Sequence, residues 1–118
     1  MHAPSILVVE DDRHIAELIV CALEPEGFQL RHESSGRAGL NAALSRRPDL
    51  IITDYFMPNM GGMGMINALR ADPETAGIPI LMISAMPVDD DVPVAAALLK
   101  PFSIEELLAT VANLVPRH

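Results

Sequence analysis

Four short stretches carry the side chains that could do chemistry. Leu50-Ile51-Ile52-Thr53 is a largely β-branched run that ends abruptly on the carboxylate of Asp54. Ile6-Leu7-Val8-Val9 ends on Glu10-Asp11-Asp12, the run closing at Ile83 ends on Ser84-Ala85, and Val94 to Leu99 ends on Lys100-Pro101. Short apolar runs of this kind read as buried parallel strands, hydrophobic on both faces. Open α/β sheets place their chemistry at the carboxyl ends of the strands. One edge would therefore gather Asp11, Asp12, Asp54, Ser84 and Lys100. Clustered carboxylate oxygens are hard ligands suited to Mg2+, which keeps several waters and favours phosphate co-ligands. A carboxylate such as Asp54 can attack phosphorus and form an acyl phosphate. Lys100 would neutralise a phosphoryl oxygen as a point charge, and Ser84 would donate a hydrogen bond to another. Phosphoryl transfer asks for little beyond such positioning and charge neutralisation.

Each residue also has a plainer role. Asp12 is a good N-cap for a following helix. Asp54 suits a turn, Ser84 a loop, and Lys100 a solvated surface. Taken together these roles explain little, because four strand ends would carry complementary groups by accident. Lys100 is also the only lysine in a chain whose other cationic side chains are arginines.

The elements that must position these groups follow from periodicity. Ile15, Leu18, Ile19, Ala22 and Leu23 recur at helical spacing and stop at Pro25 and Gly27, a breaker and a C-cap residue. Phe28 to His32 alternates as a strand nearer the sheet edge. Leu40, Ala43 and Leu44 mark a second helix closed by Pro48, and Met63, Ile66 and Leu69 a third that ends at Asp72-Pro73. Ser103 and Glu106 form a capping box for a last helix bearing Leu107, Leu108 and Val111, with Phe102 placed to staple onto Leu107. Strands alternating with helices predict a parallel sheet covered on both faces. Residues 86–93 break the pattern, with two prolines around Asp89-Asp90-Asp91. Proline is costly inside a helix, so the fourth helix is expected to be short, distorted or absent.

Length and composition set the outer limits. A chain of 118 residues fits one domain. Half of it is hydrophobic, Trp is absent and aromatics are few, so the core is aliphatic. A net charge of −8 opposes a general nucleic-acid or membrane surface. The single Cys21 excludes an intrachain disulfide and fits a reducing compartment. No signal pattern and no bilayer-length apolar run is present, so a cytoplasmic location is expected. Gly61-Gly62-Met63-Gly64 lacks the Lys-Ser/Thr ending of a P-loop, so nucleotide binding is unsupported.

In order and spacing, Val9-Glu10-Asp11-Asp12, Asp54-x-x-Met57-Pro58 with its following glycines, Ile83-Ser84-Ala85 and Lys100-Pro101-Phe102 resemble the receiver domain of two-component response regulators. The likeness runs from Ile6 to about Val115, so residues 1–118 are read as a single receiver domain. It implies a flavodoxin-like, doubly wound, five-stranded parallel sheet in the order 2-1-3-4-5. It also implies Mg2+ held by Asp11, Asp12, Asp54 and the backbone carbonyl of Phe56, and phosphorylation of Asp54 by a histidine kinase or a histidine phosphotransfer protein. Ser84 and Ala85 would serve the switch and phosphoryl-binding position, Lys100 the lysine role, and the bond to Pro101 would be cis. The chain would then be a phosphoacceptor that assists its own phosphorylation, rather than an enzyme acting on a separate substrate.

Two departures from the family pattern touch one face. Ala97 stands where the family carries an aromatic switch residue, and the Ser84 to Lys100 interval is short. Phosphorylation chemistry is expected to be intact, with unusual output or homodimerisation through the fourth helix, fifth strand and fifth helix. Apolar Phe56 and Met86, two residues after Asp54 and Ser84, predict slow loss of the phosphoryl group. Output would pass to a protein partner, or to an effector domain separate from these residues. Two other readings stay open: a degenerate receiver that only binds partners, and an aspartate-nucleophile phosphatase. Phe56 counts against the latter, because a second acid is usual at that position.

Overall fold

The computed structural model describes residues 3–55 and 61–116. Five parallel strands, β1 (Ser5–Val9), β2 (Gln29–Glu33), β3 (Leu50–Asp54), β4 (Ile80–Ser84) and β5 (Ala96–Leu99), form one sheet in the order β2-β1-β3-β4-β5. The helices are α1 (Arg13–Leu23), α2 (Gly36–Ser45), α3 (Gly61–Ala71) and α4 (Ile104–Leu114). The doubly wound order expected from the sequence is the one observed. Phe56, Met57 and Pro58 of the Asp54 motif lie outside the described residues.

Alternation along the strands separates two cores. Leu7, Val9, Ile51, Ile80 and Met82 face α2 and α3, which contribute Ala43, Met65, Ile66 and Leu69. Ile6, Val8, Ile52, Leu81 and Ile83 face α1 and α4, which contribute Ile19, Leu23, Leu107 and Val111. The central strands β3 and β4 are buried along their whole length, as strands covered on both faces must be. Gly39 lets α2 approach β1: a Cβ there would lie 2.7 Å from a Val9 methyl and 3.1 Å from Met65 Sδ.

Local signals set the helix ends. Ser103 and Glu106 form the expected capping box, with Glu106 N–H donating to Ser103 Oγ at 3.0 Å and Ser103 N–H to Glu106 Oε1 at 3.1 Å. A 3-10 turn over Glu24–Glu26 continues α1, and Gly27 closes it at φ +87°. Positive φ is nearly free for glycine and strained for other residues.

Residues 85–95, between β4 and β5, contain no helix. Pro87 and Pro93 lack the N–H that a helix needs, and the aspartate run closes a turn in which Val92 N–H donates to Asp89 O at 3.1 Å. Val88, Val92 and Val94 nevertheless pack onto the core beside α3. Arg70 of α3 holds the segment down, donating from Nε to Pro93 O at 3.1 Å and from Nη1 to the carbonyls of Ala76 and Ile78 at 2.7 and 2.8 Å. This cover reaches β4 but stops short of β5. Ala96 and Leu98 are half-buried toward α1 and α4, while Ala97 and Leu99 on the other face are exposed.

Candidate functional site

The register of the sheet brings the functional side chains to one edge. Glu10 N–H donates to Glu33 O at 3.0 Å, Tyr55 N–H to Ile83 O at 3.0 Å and Lys100 N–H to Ser84 O at 2.8 Å, and Val9 pairs with Thr53, which together align the carboxyl ends of the five strands. Asp54 closes β3 and is 7% exposed; Glu10 succeeds β1 and is 2% exposed. The Glu10 backbone is fixed further by His32 of β2, whose Nε2 donates to Glu10 O at 2.8 Å.

A three-carboxylate cluster stands at this edge. Oxygens of Glu10, Asp11 and Asp54 lie within 4.8 Å of one another, with Asp11 exposed to solvent. Among the described residues neither Glu10 oxygen receives a hydrogen bond from a donor, although both are buried. Burial first, then contact with the Asp54 carboxylate, pushes Glu10 up from 4.5 to about 8, against the opposing pull of Lys100. Buried carboxylates without donors are costly unless protonated or matched by a cation. The chemistry and spacing of this donor set fit a hard divalent cation.

Asp12 caps the following helix and stands outside this three-carboxylate group. Its Oδ1 accepts from the N–H groups of His14 and Ile15 at 2.9 and 3.2 Å. The family resemblance places the metal on Asp11, Asp12 and Asp54; the structure brings Glu10, Asp11 and Asp54 together instead.

Lys100 Nζ reaches from the end of β5 to Asp54 Oδ2 at 2.8 Å and lies 3.8 Å from Glu10 Oε1. Burial pulls the Lys100 ammonium down, but the hydrogen bond and charge attraction of Asp54, then of Glu10 and Asp12, outweigh it and leave its pKa raised. The ammonium is therefore a fixed positive charge at neutral pH. Ser84 is fully buried at the end of β4, and its Oγ accepts from Met86 N–H at 3.1 Å. Ala85 comes next and is exposed. The Lys100–Pro101 peptide is cis. Beside Lys100 an apolar groove opens between α1 and the start of α4, lined by Ile15, Leu18, Pro101 and Phe102.

Gly62 allows the start of α3 to approach the end of β3. Its N–H donates to Tyr55 O at 3.2 Å, and a Cβ on it would lie 2.5 Å from Asp54 O and 2.8 Å from Tyr55 O. The first turn of α3 thus sits directly against the backbone that presents Asp54. The Phe56 carbonyl, expected as a ligand, lies outside the described residues.

Comparison with known proteins bears on the family and the fold. The family profile of the response regulator receiver domain matches residues 6–112. The DNA-binding dual master transcriptional regulator RpaA of Synechocystis is 36% identical over 120 residues, covering 97% of this chain and 50% of RpaA. The chemotaxis protein CheY4 of Vibrio cholerae superposes with a TM-score of 0.89 at 28% identity, over 97% of this chain and 100% of CheY4. The receiver domain of the sensor histidine kinase PA1611 from Pseudomonas aeruginosa, solved with a magnesium ion in its active-site cleft, shares the fold at a TM-score of 0.88 and 24% identity, over 96% of this chain and 98% of that one. The chain spans about half the length of the curated relatives it matches. Among the described residues no helix is long and apolar enough to cross a membrane. By sequence profile and by fold, the chain belongs to the response regulator receiver domain family.

Proposed function

We propose that this receiver takes a phosphoryl group from a phosphohistidine donor onto Asp54, and that Glu10, Asp11 and Asp54 hold Mg2+ at the site. The observation that carries this reading is the contact between Lys100 Nζ and Asp54 Oδ2 at 2.8 Å, beside two further carboxylates. An Asp54 oxygen forms the new P–O bond as the P–N bond to the donor imidazole breaks, and the electron pair of that bond stays with the imidazole. Lys100 keeps its charge and moves from the Asp54 carboxylate toward a phosphoryl oxygen. Ser84 accepts from Met86 N–H and has its own hydroxyl proton left to donate to a second oxygen. The bound cation would supply charge neutralisation among the acids and phosphoryl oxygens.

The donor would be a histidine kinase or a histidine phosphotransfer protein, whose imidazole must come to Asp54. The apolar groove beside Lys100 offers its carrier a seat at the mouth of the site. The DNA binding named for RpaA belongs to that protein. With a charge of −8, this chain offers a phosphate backbone no general basic surface, so the reading leaves nucleic-acid contact to other segments or partners. Intact mass after incubation with Mg2+ and acetyl phosphate tests the chemistry. A gain of one phosphoryl group, lost in Asp54→Ala, is expected. No uptake from acetyl phosphate or from any histidine donor, together with no binding of beryllofluoride, would leave a module that only binds partners.

A further inference from the structure

The β5 face left bare by the 85–95 segment has a definite chemical character. Ala97 pairs with Met82 and Leu99 with Ser84, so both side chains stand on the α2–α3 side of the sheet. A right-handed crossover between parallel strands ordinarily lays a helix over this position. Here the crossover covers β4 with Val88, Val92 and Val94 and leaves β5 uncovered. Leu99 is 51% exposed, and Met86, at the start of the crossover, is 61% exposed. A groove beside β5 adjoins this surface, lined by Val88, Asp89, Asp90, Val92, Val94 and Ala97 among others. From Ala85 to Leu99 the chain carries three aspartates, all exposed, and no cationic side chain.

We propose that this uncovered face docks an amphipathic helix from another protein, with an apolar stripe seated on Met86, Ala97 and Leu99 and with Lys or Arg flanking it. A helix is the element that buries a sheet face, and the helix-in-groove mode supplies the apolar anchors. Charge selects its flanks. A second copy of this chain would bring another aspartate run and a further −8 to the same contact, which opposes self-association here. Basic flanks meet the exposed Asp89–Asp91 run instead, and arginine can lay its methylenes on Val88 and Val92 while its head meets a carboxylate. The face adjoins the phosphoacceptor site at two points: Met86 N–H donates to Ser84 Oγ, and Leu99 precedes Lys100. The docking surface rests on the receiver reading above, deepening it by naming the chemistry of the partner, but it does not require Asp54 to be phosphorylated.

The test uses the full chain and two synthetic helical peptides of about five turns. Both carry one leucine stripe; one has arginine flanks and the other glutamate flanks. Binding is read by fluorescence anisotropy and located by amide NMR shifts. The arginine peptide is expected to bind at least about tenfold tighter, with shifts centred on Met86, Ala97 and Leu99. A D89N/D90N/D91N variant should lose that discrimination, and Leu99→Ser should weaken the arginine peptide with or without that triple change. Asp54→Ala should leave docking in place while abolishing phosphoryl uptake, which separates failure of this proposal from failure of the phosphoacceptor reading. Equal affinity for the two peptides would overturn it. So would shifts centred on Glu10 and Asp11, or a dimer in sedimentation that buries the β5 face.

Discussion

The ammonium of Lys100 and the carboxylate of Asp54 meet at 2.8 Å, although the residues lie 46 positions apart and on strands separated by β4. The pair balances one of three clustered acids. Replacing Lys100 with Ala should destabilise the metal-free protein by about 2 kcal/mol, because the buried acids Glu10 and Asp54 lose their cation. The rise in unfolding temperature on adding Mg2+ should then be larger than in the wild type. Lys100→Arg should not restore phosphoryl uptake, since a planar guanidinium cannot replace a compact ammonium. Thermal unfolding with and without Mg2+, together with intact mass, checks all three statements.

The buried Glu10 should make stability fall with rising pH. Its folded value stands near 8, against 4.5 ordinarily, because burial and Asp54 disfavour its charge. Between these values the folded chain keeps a proton that the unfolded chain has released, so stability is lost progressively from about pH 4.5 to about pH 8. Lys100, shifted upward, stays charged across that window and does not offset the loss. Urea midpoints across the window should show the decline in metal-free buffer, and Glu10→Gln should flatten it. Saturating Mg2+ should flatten it too.

Single variants separate ligand from cap. Glu10→Gln and Asp11→Asn should each weaken Mg2+ binding about tenfold or more, as loss of a charged ligand does. Asp12→Ala should instead cost about 1 kcal/mol of stability, the usual value of an N-cap, and shift Mg2+ affinity only slightly. Titration calorimetry and urea unfolding on the three variants decide between the two arrangements.

Gly62→Ala should disturb the site without touching any functional side chain. The added methyl meets Asp54 O at 2.5 Å and Tyr55 O at 2.8 Å, both backbone atoms. A stability loss of about 1–3 kcal/mol is expected, as for an overpacked core, with a matching drop in phosphoryl uptake. Gly61→Ala meets no atom within 4 Å and pays only for its φ of +71°. It should retain uptake, read by the same mass measurement.

A long-lived phosphoryl group is expected from the residue types just beyond β3 and β4. Neither Phe56 nor Met86 carries a polar group that could direct water. Met86 is largely exposed, so its effect comes from this missing polar group rather than from a sealed cover. Phosphate release should take minutes or longer, and Met86→Asp should shorten it. Release from the wild type within seconds would contradict the expectation.

Periodicity was enough to specify the strands, their parallel direction and the weakness of a fourth helix, because burial on two faces and the cost of proline act within short windows of sequence; the order of the strands came from the family resemblance. The carboxylate of Asp54, the hydroxyl of Ser84 and the ammonium of Lys100 were legible for the same reason: each ends a strand, and parallel strands end together. The tertiary structure alone decided which acids share the site. Glu10, Asp11 and Asp12 are adjacent in sequence, and their roles separate only when the start of α1 claims Asp12 for its free N–H groups and the end of β1 turns Glu10 inward against Asp54. It also decided that Val88, Val92 and Val94 cover β4 and leave Ala97 and Leu99 bare, since where a proline-broken segment lies depends on long-range contacts such as Arg70 to Pro93 that no local pattern encodes.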